Sequence, residues 1–583
     1  MTELFEPVGE HDWRLSTGAT GQLGSFNRDG LLESTDLHVA DRLGDLAGEP
    51  DERVRLAVAL AVRAVRHGSV CVDLATVPEL APELPWPLAD DWLAAVAASP
   101  IAAAGAVCLD HGLLYLDRYH RLETQVLDDL ADRTAQPPPE VDEQALSAAV
   151  ERVRGQHLSP EQERAAVRAV RQWTTVLTGG PGTGKTTTVA RLLALVADQA
   201  DQRGRRLSIA LTAPTGKAAA RLQEAVVAEL EHLDAADRDR LLPVEAMTLH
   251  RLLGWLPDNT TRFRHDRGNR LKYDLVVVDE SSMVELTMMA RLLEAVRPQA
   301  RLVLVGDPRQ LTSVGAGAVL SDLVAGYEGD PVSPVVSLTE NFRSTEDIKT
   351  LAEALRIGDG DEVLAALRVP SSEVEFVETT DAESALRADA VEAALRIRAA
   401  AEAGDAVAAV AALDEHRLLC AHREGPHGVR HWNQQVERWL GEETGQEIWS
   451  EWYVGRPLLV SSNDYALGIY NGETGAAVLQ PDGRLRAVIS GSGGLLDFAP
   501  GRLDAIETMH AMTIHKSQGS QADRVTVLLP DEGSRLLTRE LFYTAVTRAR
   551  RHVRVVGSEA AVRAAVATRA QRATGLRLRL AAR

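Results

Sequence analysis

The amino-acid sequence predicts an α/β protein with two parallel sheets, a small β-rich insert and a mainly helical N-terminal domain. Short apolar runs that suit strands buried on both faces alternate with helical patterns between residues 174 and 305. Polar residues follow these runs directly, which is typical of parallel sheets whose site lies at the carboxyl ends of the strands. Strand and helix patterns alternate again after residue 373, and short strands with turns interrupt them at residues 456–507.

Length, composition and charge limit the classes of function. At 583 residues the chain exceeds one hydrophobic core, and roughly three or four domains are expected. An acidic N-terminus and the lack of a long uncharged apolar run argue against a targeting peptide and a membrane partner. Three scattered cysteines, Cys71, Cys108 and Cys420, suit neither a disulfide framework nor a zinc site, so a reducing cytoplasm is predicted. The net charge of −21 argues against binding of nucleic acid by the surface as a whole, but it is compatible with a local basic channel.

The first 135 residues are predicted to form a domain that does not take part in catalysis. They contain one helical pattern beginning near Ser34 and a stronger one over residues 52–67, together with short strands at 69–74 and 112–116. No catalytic constellation is found there, so we interpret residues 1–135 as a docking surface for a partner. Three prolines at 137–139 mark the boundary, and helical pattern resumes at Glu143.

A glycine-rich loop at residues 176–188 predicts a nucleoside triphosphate site. It fits G-x-x-x-x-G-K-S/T between a β-branched run and an apolar helical segment. The loop N–H groups and the following helix would bind phosphate, Lys185 would reach the outer phosphates, and Thr186 would hold Mg²⁺. The residues predicted to bind ATP here are Gly179, Gly180, Pro181, Gly182, Thr183, Gly184, Lys185, Thr186 and Thr187.

Further residues complete the predicted site. Gln162, on a helix that starts at Ser159-Pro160, could read an adenine edge, although a surface glutamine is the plainer interpretation. Asp279 and Glu280 follow a buried apolar strand; Asp279 would hold Mg²⁺ and Glu280 would act as general base toward water. Gln310, after the next strand, can sense the γ-phosphate.

Two arginines from the second α/β region, Arg343 and Arg548, are expected to reach the same phosphate across a cleft. Arg548 is placed on a helical segment over residues 540–551.

In the second α/β region, strands are predicted at residues 374–377, 418–421, 525–529 and 553–557, with helix over 382–412. The basic C-terminal segment, with Arg577, Arg579 and Arg583, is expected to be solvated.

The same motifs carry a family resemblance. In order they are residues 158–162, 179–187, 211–221, 248–250, 279–280, 306–311, 338–344, 512–519 and 543–550. They resemble those of superfamily 1 helicases and, more closely, of the RecD helicases of RecBCD-type (exonuclease V) complexes. The closest stretches lie at residues 212–217, 248–254, 463–468 and 511–519.

The resemblance implies two RecA-like domains with ATP between them and single-stranded DNA across their tops. Residues 143–335 would form domain 1A and residues 336–583 domain 2A, with an SH3-like insert at about 440–507. Gln518 and Gly519 would face the nucleotide. The residues implied to face DNA are Pro214, Thr215, Thr248, His250, Thr513, His515 and Lys516.

Three interpretations remain open. The first is a 5′→3′ translocase that acts on the 5′-ended strand at a duplex end, with RecB-like and RecC-like subunits as partners, in recombinational repair. The second is a stand-alone RecD-like helicase, whose relatives carry a longer N-terminal region. The third is a structural subunit with a weak ATPase, which the intact Lys185, Glu280, Gln310, Arg343 and Arg548 argue against. A nuclease is disfavoured because no second cluster of carboxylates and lysine is found in the sequence.

Overall fold

The computed structural model describes residues 4–583 except 6, 8, 10, 155–157, 257–258, 313–314, 343–344, 465, 492–493, 535 and 571, and the side chains of 259–261. Arg343 therefore lies outside the described residues, and its predicted role stays a prediction. No helix in the described part of the chain is both long enough and apolar enough to cross a bilayer.

The N-terminal domain is mainly helical and carries a three-stranded antiparallel sheet of order β1-β3-β2. Trp92 and Phe26 are fully buried at its centre. Strand β2 is not among the predicted elements, because it has only four residues and ends in the polar Asp110. The elements are α1 (Gly21–Arg28), α2 (Ser34–Ala47), α3 (Glu52–Arg66), β1 (Cys71–Asp73), α4 (Ala89–Ala97), α5 (Pro100–Ala103), β2 (Val107–Asp110), β3 (Leu113–Leu116) and α6 (Asp117–Thr134).

Domain 1A is built on a six-stranded sheet of order β11-β4-β10-β9-β5-β6, in which every neighbouring pair is parallel. A separate hairpin, β7-β8, lies outside this sheet. The strands are β4 (Thr174–Gly179), β5 (Ile209–Ala213), β6 (Ala246–Thr248), β7 (Trp255–Leu256), β8 (Asn259–Phe263), β9 (Leu275–Val278), β10 (Arg301–Gly306) and β11 (Val335–Leu338). The helices are α7 (Glu143–Arg154), α8 (Pro160–Val170), α9 (Lys185–Asp201), α10 (Gly216–Leu230), α11 (Ala235–Leu241), α12 (Leu249–Leu253), α13 (Leu286–Ala295) and α14 (Val319–Gly326).

Domain 2A contains a second parallel sheet of order β12-β21-β20-β13-β19. The insert is an antiparallel sheet of order β17-β16-β15-β14-β18. The strands are β12 (Val374–Glu378), β13 (His416–Cys420), β14 (Pro457–Val460), β15 (Thr474–Leu479), β16 (Leu485–Gly491), β17 (Gly494–Phe498), β18 (Ile506–Thr508), β19 (Ala511–Thr513), β20 (Ala522–Leu528) and β21 (Ala549–Gly557). The helices are α15 (Glu346–Ile357), α16 (Gly360–Arg368), α17 (Ala382–Glu402), α18 (Ala406–Ala412), α19 (Val429–Thr444), α20 (Arg539–Val546), α21 (Glu559–Ala567) and α22 (Leu576–Ala581).

The two parallel sheets confirm the predicted fold class, while details differ. Strand β11 pairs with β4, so domain 1A extends beyond residue 335. The helical pattern over 382–412 divides into α17 and α18 at Gly404, which has a positive φ of 75°. The antiparallel insert agrees with the pattern of short strands and turns, and its likeness to an SH3 barrel stays a prediction.

The N-terminal domain and domain 1A share a core through α6. Leu122, Val126, Leu127 and Leu130 of α6 are buried in the same apolar cluster as strands β9 and β10. The sequence pattern predicts two separate domains, but in the structure they share one hydrophobic core.

Arg133, at the end of α6, fixes that junction with hydrogen bonds. The side chain is 2% exposed. Its Nε donates to Thr174 Oγ1 at 2.8 Å, and its terminal nitrogens donate to the carbonyls of Trp173, Arg297 and Ala300 at 2.7, 2.8 and 2.6 Å. Burial lowers the pKa of Arg133 to about 10, which still leaves it protonated at neutral pH.

We expect Arg133→Met to lower the free energy of unfolding by about 3 kcal/mol or more, because it leaves several buried acceptors without a donor. Equilibrium denaturation in urea measures this loss. The matched control is Arg121→Met on the same helix, since the Arg121 side chain is 76% exposed and bonds only Asp117 among the described residues. Equal stability of the two variants would contradict the role given to Arg133.

The C-terminal segment is docked, which corrects the expectation of a solvated tail. Helix α22 packs against α6 and α14, and Leu576 is 1% exposed. Arg579 lies 3.1 Å from Asp110, and Arg583 lies 2.6 Å from Asp128. The local composition predicts a solvated segment because the acidic partners of these arginines belong to the N-terminal domain, which is distant in the sequence.

Candidate active site between the two parallel sheets

The glycine-rich loop joins β4 to α9 at the carboxyl end of the first sheet. Gly182 and Gly184 have positive φ values of 82° and 76°, which glycine adopts readily. A Cβ on Gly184 would also collide with the Gln162 amide nitrogen. Lys185 Nζ donates to the carbonyls of Gly179 and Gly180 at 2.8 and 2.9 Å, so its charge is held at the mouth of the loop.

Gln162 supports the loop from the preceding helix. It is 2% exposed, and its Oε1 accepts from the Ser159 N–H as part of a capping box. Its Nε2 donates to the Thr183 carbonyl at 3.1 Å. One N–H and one lone pair of the amide remain for an adenine edge, and that contact stays a prediction.

The acidic pair lies at the end of β9, opposite the loop. Glu280 has a left-handed backbone (φ 50°, ψ 40°), a conformation unusual for a residue with a side chain and typical of functional sites. Burial raises the pKa of Asp279, the neighbouring Glu280 carboxylate raises it further, and the Lys185 charge opposes both. A divalent cation would offset this clustering of negative charge.

The donor set fits Mg²⁺. Thr186 and Asp279 both line the cavity, and their side chains offer the oxygen ligands that Mg²⁺ prefers. No group of three or more His, Cys, Asp or Glu side chains among the described residues suits a metal ion. A Mg²⁺ held by one or two protein oxygens together with phosphates needs no such group.

Gln310 lines the cavity, and its side chain carries an unsatisfied buried acceptor. Its Nε2 donates to Asp307 Oδ2 at 3.3 Å, and its buried Oε1 has no hydrogen-bond partner. An orphaned buried acceptor costs stability unless a ligand or water fills it. Oε1 is therefore suited to accept a hydrogen bond from a water that attacks the γ-phosphate.

Three contacts join the two domains beside this cavity. Tyr543 Oη donates to Asp307 Oδ2 at 3.0 Å, and the Leu311 N–H donates to Thr544 Oγ1 at 2.9 Å. Gln518 Nε2 donates to the Leu311 carbonyl at 2.7 Å. Gln518 therefore contacts domain 1A, and its predicted contact with the nucleotide stays a prediction; Gly519 lines the cavity.

Arg548 reaches the cavity from domain 2A. It lies on the connection between α20, which ends at Val546, and β21, so the predicted helical segment over 540–551 is confirmed up to Val546 and wrong beyond it. Its guanidinium donates to the Thr544 and Ser520 carbonyls at 3.1 and 3.4 Å and is 5% exposed. Burial lowers the pKa of Arg548, while the charges of Glu280 and Asp307 across the cleft act against that shift.

The cavity itself encloses about 480 Å³, in the range of small-ligand sites. Both domains line it. Among the predicted residues it brings together Gln162, Pro181, Gly182, Gly184, Lys185, Thr186, Thr187, Asp279, Glu280, Gln310, Gly519 and Arg548.

Phe342 and Gln521 also line the cavity, and the sequence motifs did not single them out. The Phe342 ring is 52% exposed, while its N–H donates to the Gly182 carbonyl at 2.9 Å. The Asn341 amide donates to the Pro181 carbonyl at 3.0 Å. This segment follows β11 and covers the loop. One sequence feature points to Phe342: it is an aromatic residue directly before Arg343 in a motif that is otherwise mostly polar.

The residues implied to face DNA lie at the carboxyl ends of strands in both sheets. Pro214 and Thr215 follow β5, Thr248 ends β6 with His250 after it, and Thr513 ends β19 with His515 and Lys516 after it.

Their hydrogen bonds leave donors for phosphate. The hydroxyl oxygens of Thr215, Thr248 and Thr513 accept backbone N–H groups, so each O–H proton is left to donate. Burial lowers the pKa of His515. Lys516 Nζ pairs with Glu507 of the insert at 2.7 Å.

Comparisons with known proteins agree with this arrangement. Family models match at residues 157–378 (AAA domain), 508–556 (UvrD-like helicase C-terminal domain) and 28–115 (RecBCD enzyme subunit RecD, N-terminal domain). The last of these lies within the N-terminal domain.

Three curated relatives illustrate the similarity. RecBCD enzyme subunit RecD of Mycobacterium tuberculosis is 60% identical over 96% of this chain and 97% of that protein. The subunit of the same name from Mycolicibacterium smegmatis is 60% identical over 94% and 98%. The ATP-dependent RecD2 DNA helicase of Deinococcus radiodurans is 32% identical over 80% of this chain and 58% of that protein. The chain therefore belongs to the RecD family of helicases.

Proposed function

We propose that the chain is an ATP-driven motor that moves 5′→3′ along single-stranded DNA as one subunit of a RecBCD-type complex in recombinational repair of duplex ends. The observation that carries the motor function is the sharing of one nucleotide cavity by two parallel sheets. The same two sheets carry the predicted DNA contacts at their strand ends. Closing the cleft on ATP therefore shifts one set of DNA contacts relative to the other.

The chain's own side chains have separate tasks in hydrolysis. Lys185 binds the outer phosphates, and Glu280 takes the proton of the attacking water while Gln310 Oε1 orients it. Thr186 and Asp279 would hold Mg²⁺, which offsets charge on the phosphates when bound. Arg548 stabilises charge that develops on the transferred phosphoryl group.

We propose RecB-like and RecC-like subunits as partners, with the N-terminal domain as the docking surface. The support is identity: the mycobacterial RecD subunits are 60% identical to this chain, whereas the RecD2 helicase is 32% identical.

Phe342 is suited to stack on the adenine. We expect Phe342→Ala to raise the KM for ATP by about tenfold, because base stacking on an aromatic ring is worth roughly 1–3 kcal/mol. The kcat should change less than about twofold, since the backbone contact to Gly182 does not need the ring. Steady-state ATPase titrations measure both constants.

The control is Phe342→Tyr, which keeps the ring face and should leave the KM near that of the wild type. A fall in kcat with unchanged KM in Phe342→Ala would contradict stacking and indicate a role in positioning the loop.

Two assays test the proposed function. ATPase activity of the purified chain should rise on addition of single-stranded oligonucleotide, and Glu280→Gln should abolish that rise while preserving DNA binding. Isolation of the chain from its native cell should recover RecB-like and RecC-like subunits with it. Recovery of the chain alone, with full helicase activity, would favour the stand-alone interpretation.

A further inference from the structure

Helix α10 of domain 1A and the β insert line a second cavity beside the nucleotide site. This cavity encloses about 490 Å³. It shares Arg221 and Gln521 with the nucleotide cavity, so the two cavities adjoin. Lys217, in the first turn of α10, and Glu473, the residue before β15, both line it. Opposite charges from two parts of the molecule therefore border one gap.

The backbones that carry these two residues pack closely. A Cβ on Gly216 would collide with the Tyr470 Cβ, so the insert touches the start of α10. A Cβ on Gly472, next to Glu473, would lie 3.9 Å from the Lys217 Cβ. The Lys217 and Glu473 side chains therefore start from neighbouring points of the two elements.

Glu473 is a buried acid with one unsatisfied oxygen. It is 3% exposed. Its Oε2 accepts the Tyr470 N–H at 2.9 Å, whereas its Oε1 has no hydrogen-bond partner among the described residues. Burial raises the pKa of Glu473 to about 7, and the Tyr470 N–H and the Lys217 charge act against that shift. A buried carboxylate oxygen of this kind is costly until a donor reaches it.

Lys217 is a cation without a partner. It takes part in no hydrogen bond or ion pair within the part of the chain that the structure describes. It lies in the first turn of α10, where the helix dipole disfavours a positive charge and no acidic residue of that turn offsets it. Burial lowers the pKa of Lys217, and the charges of Arg417 and Arg221 lower it further. Asp414 and Glu473 act against that shift.

The other charged groups of this cavity are less suited to pair with Lys217. They are Arg221, Glu224, Asp414 and Arg550. Both arginines carry the same charge as Lys217. The Asp414 side chain is 45% exposed and already pairs with Arg417 at 2.6 Å. Glu224 is exposed and lies about two turns from Lys217 on the same helix. Glu473 is therefore the carboxylate of this cavity that is both buried and short of a donor.

The two charges belong to different moving parts. Strand β15 packs against α17 and α18, and its Ala476 and Val478 lie in the hydrophobic core of domain 2A, so Glu473 moves with that domain. Lys217 moves with domain 1A, because α10 packs on β5 and β6. Closure of the nucleotide cleft therefore changes the distance between Lys217 and Glu473.

We propose that Lys217 and Glu473 form an ion pair when the cleft closes on nucleotide, and that this pair positions domain 2A for hydrolysis. This inference rests on the proposed function. Both are positioning residues, since they act through Arg548 and do not touch the phosphate. The pair gives each charge a partner, so it favours the closed cleft in which Arg548 reaches the γ-phosphate.

The first test uses the unmodified full-length chain and a water-soluble carbodiimide, which joins an ammonium group to a neighbouring carboxylate with loss of water. Mass spectrometry measures the yield of the Lys217–Glu473 cross-link. This yield should rise several-fold when a non-hydrolysable ATP analogue and oligo-dT are added. Lys349 and Glu346, 3.6 Å apart on α15, provide an internal control whose cross-link should not change.

The second test is a double-mutant cycle in DNA-stimulated ATP hydrolysis. Lys217→Met and Glu473→Gln each remove one charge and should each lower kcat by roughly tenfold. The double variant should lose no more than either single variant, because the two charges act as one unit. The KM for ATP should change far less, since the glycine-rich loop of domain 1A supplies most ground-state binding.

Two controls accompany the cycle. Lys217→Arg keeps the charge and should keep most of kcat. Glu224→Gln removes an exposed carboxylate from the same helix and should leave kcat unchanged. Thermal midpoints without nucleotide should show no coupling between Lys217 and Glu473, because the pair is absent while the cleft is open.

A Lys217–Glu473 cross-link of equal yield with and without the analogue, or none in either state, would overturn the inference. Independent losses of kcat that multiply in the double variant would overturn it too, as would coupling seen in thermal midpoints alone. The proposed function would survive each of these outcomes. A wild-type chain whose ATPase does not respond to single-stranded DNA would instead overturn the proposed function and this inference with it.

Discussion

Arg548→Ala is expected to lower the kcat for DNA-stimulated ATP hydrolysis by about a thousandfold or more, the range found for arginines that act on phosphoryl transfer. The guanidinium lies on domain 2A and is held by main-chain carbonyls of that domain, while Lys185 and the acidic pair belong to domain 1A. Its contact with the phosphate therefore depends on closure of the cleft. Charge that grows in the transition state gains most from it.

Affinity for a non-hydrolysable ATP analogue should fall far less, since the glycine-rich loop and Lys185 remain. The measurement is a pair of titrations, analogue affinity and steady-state ATPase, on the wild type and the variant. Arg550→Ala is a matched control two residues away, because that side chain is 44% exposed and pairs with Asp523. Equal losses in affinity and kcat for Arg548→Ala would show a binding or structural role instead.

Lys185→Ala is expected to lower kcat/KM for ATP by at least about a hundredfold, the scale of removing one preorganised charge contact to a phosphate. The fold should be kept, because Lys185 bonds only the Gly179 and Gly180 carbonyls among the described residues. Gly180 is partly exposed, so water can replace the ammonium group at its carbonyl.

ATPase assays across an ATP titration measure this loss, and circular dichroism together with oligo-dT binding checks the fold. Lys349→Ala serves as a control, since that lysine pairs with Glu346 on helix α15, away from the cavity. Near-normal DNA-stimulated hydrolysis by a folded Lys185→Ala protein would contradict the assignment of the site.

Local chemistry made much of the site predictable from sequence. The loop from Gly179 to Thr187 and the acidic pair after β9 follow their strands directly, and Gln310 lies shortly after β10. Their positions are fixed by the rule that parallel strands present their carboxyl ends on one edge. The helix start at Ser159-Pro160 and the glycines of the loop are predictable for the same reason. Helix caps and positive φ values depend on the residue at that position and its sequence neighbours.

Long-range partners explain what sequence could not show. Gln518 contacts the Leu311 carbonyl because the two domains pack there, and no local pattern encodes that distance. Arg133 and the C-terminal arginines look like surface charges, yet their partners lie many residues away in other domains. Arg548 was placed on a helix because the following strand begins with Ala-Arg-Arg-His, a run that favours no strand pattern.

The most direct test of the central proposal is the polarity of movement on single-stranded DNA. Oligonucleotides biotinylated at one end and bound to streptavidin are mixed with the full-length chain and ATP, and release of streptavidin is followed over time. The proposed motor should release streptavidin from the 3′ end, with no release by Glu280→Gln or without ATP. Release from the 5′ end, or equal release without ATP, would contradict an ATP-driven 5′→3′ motor.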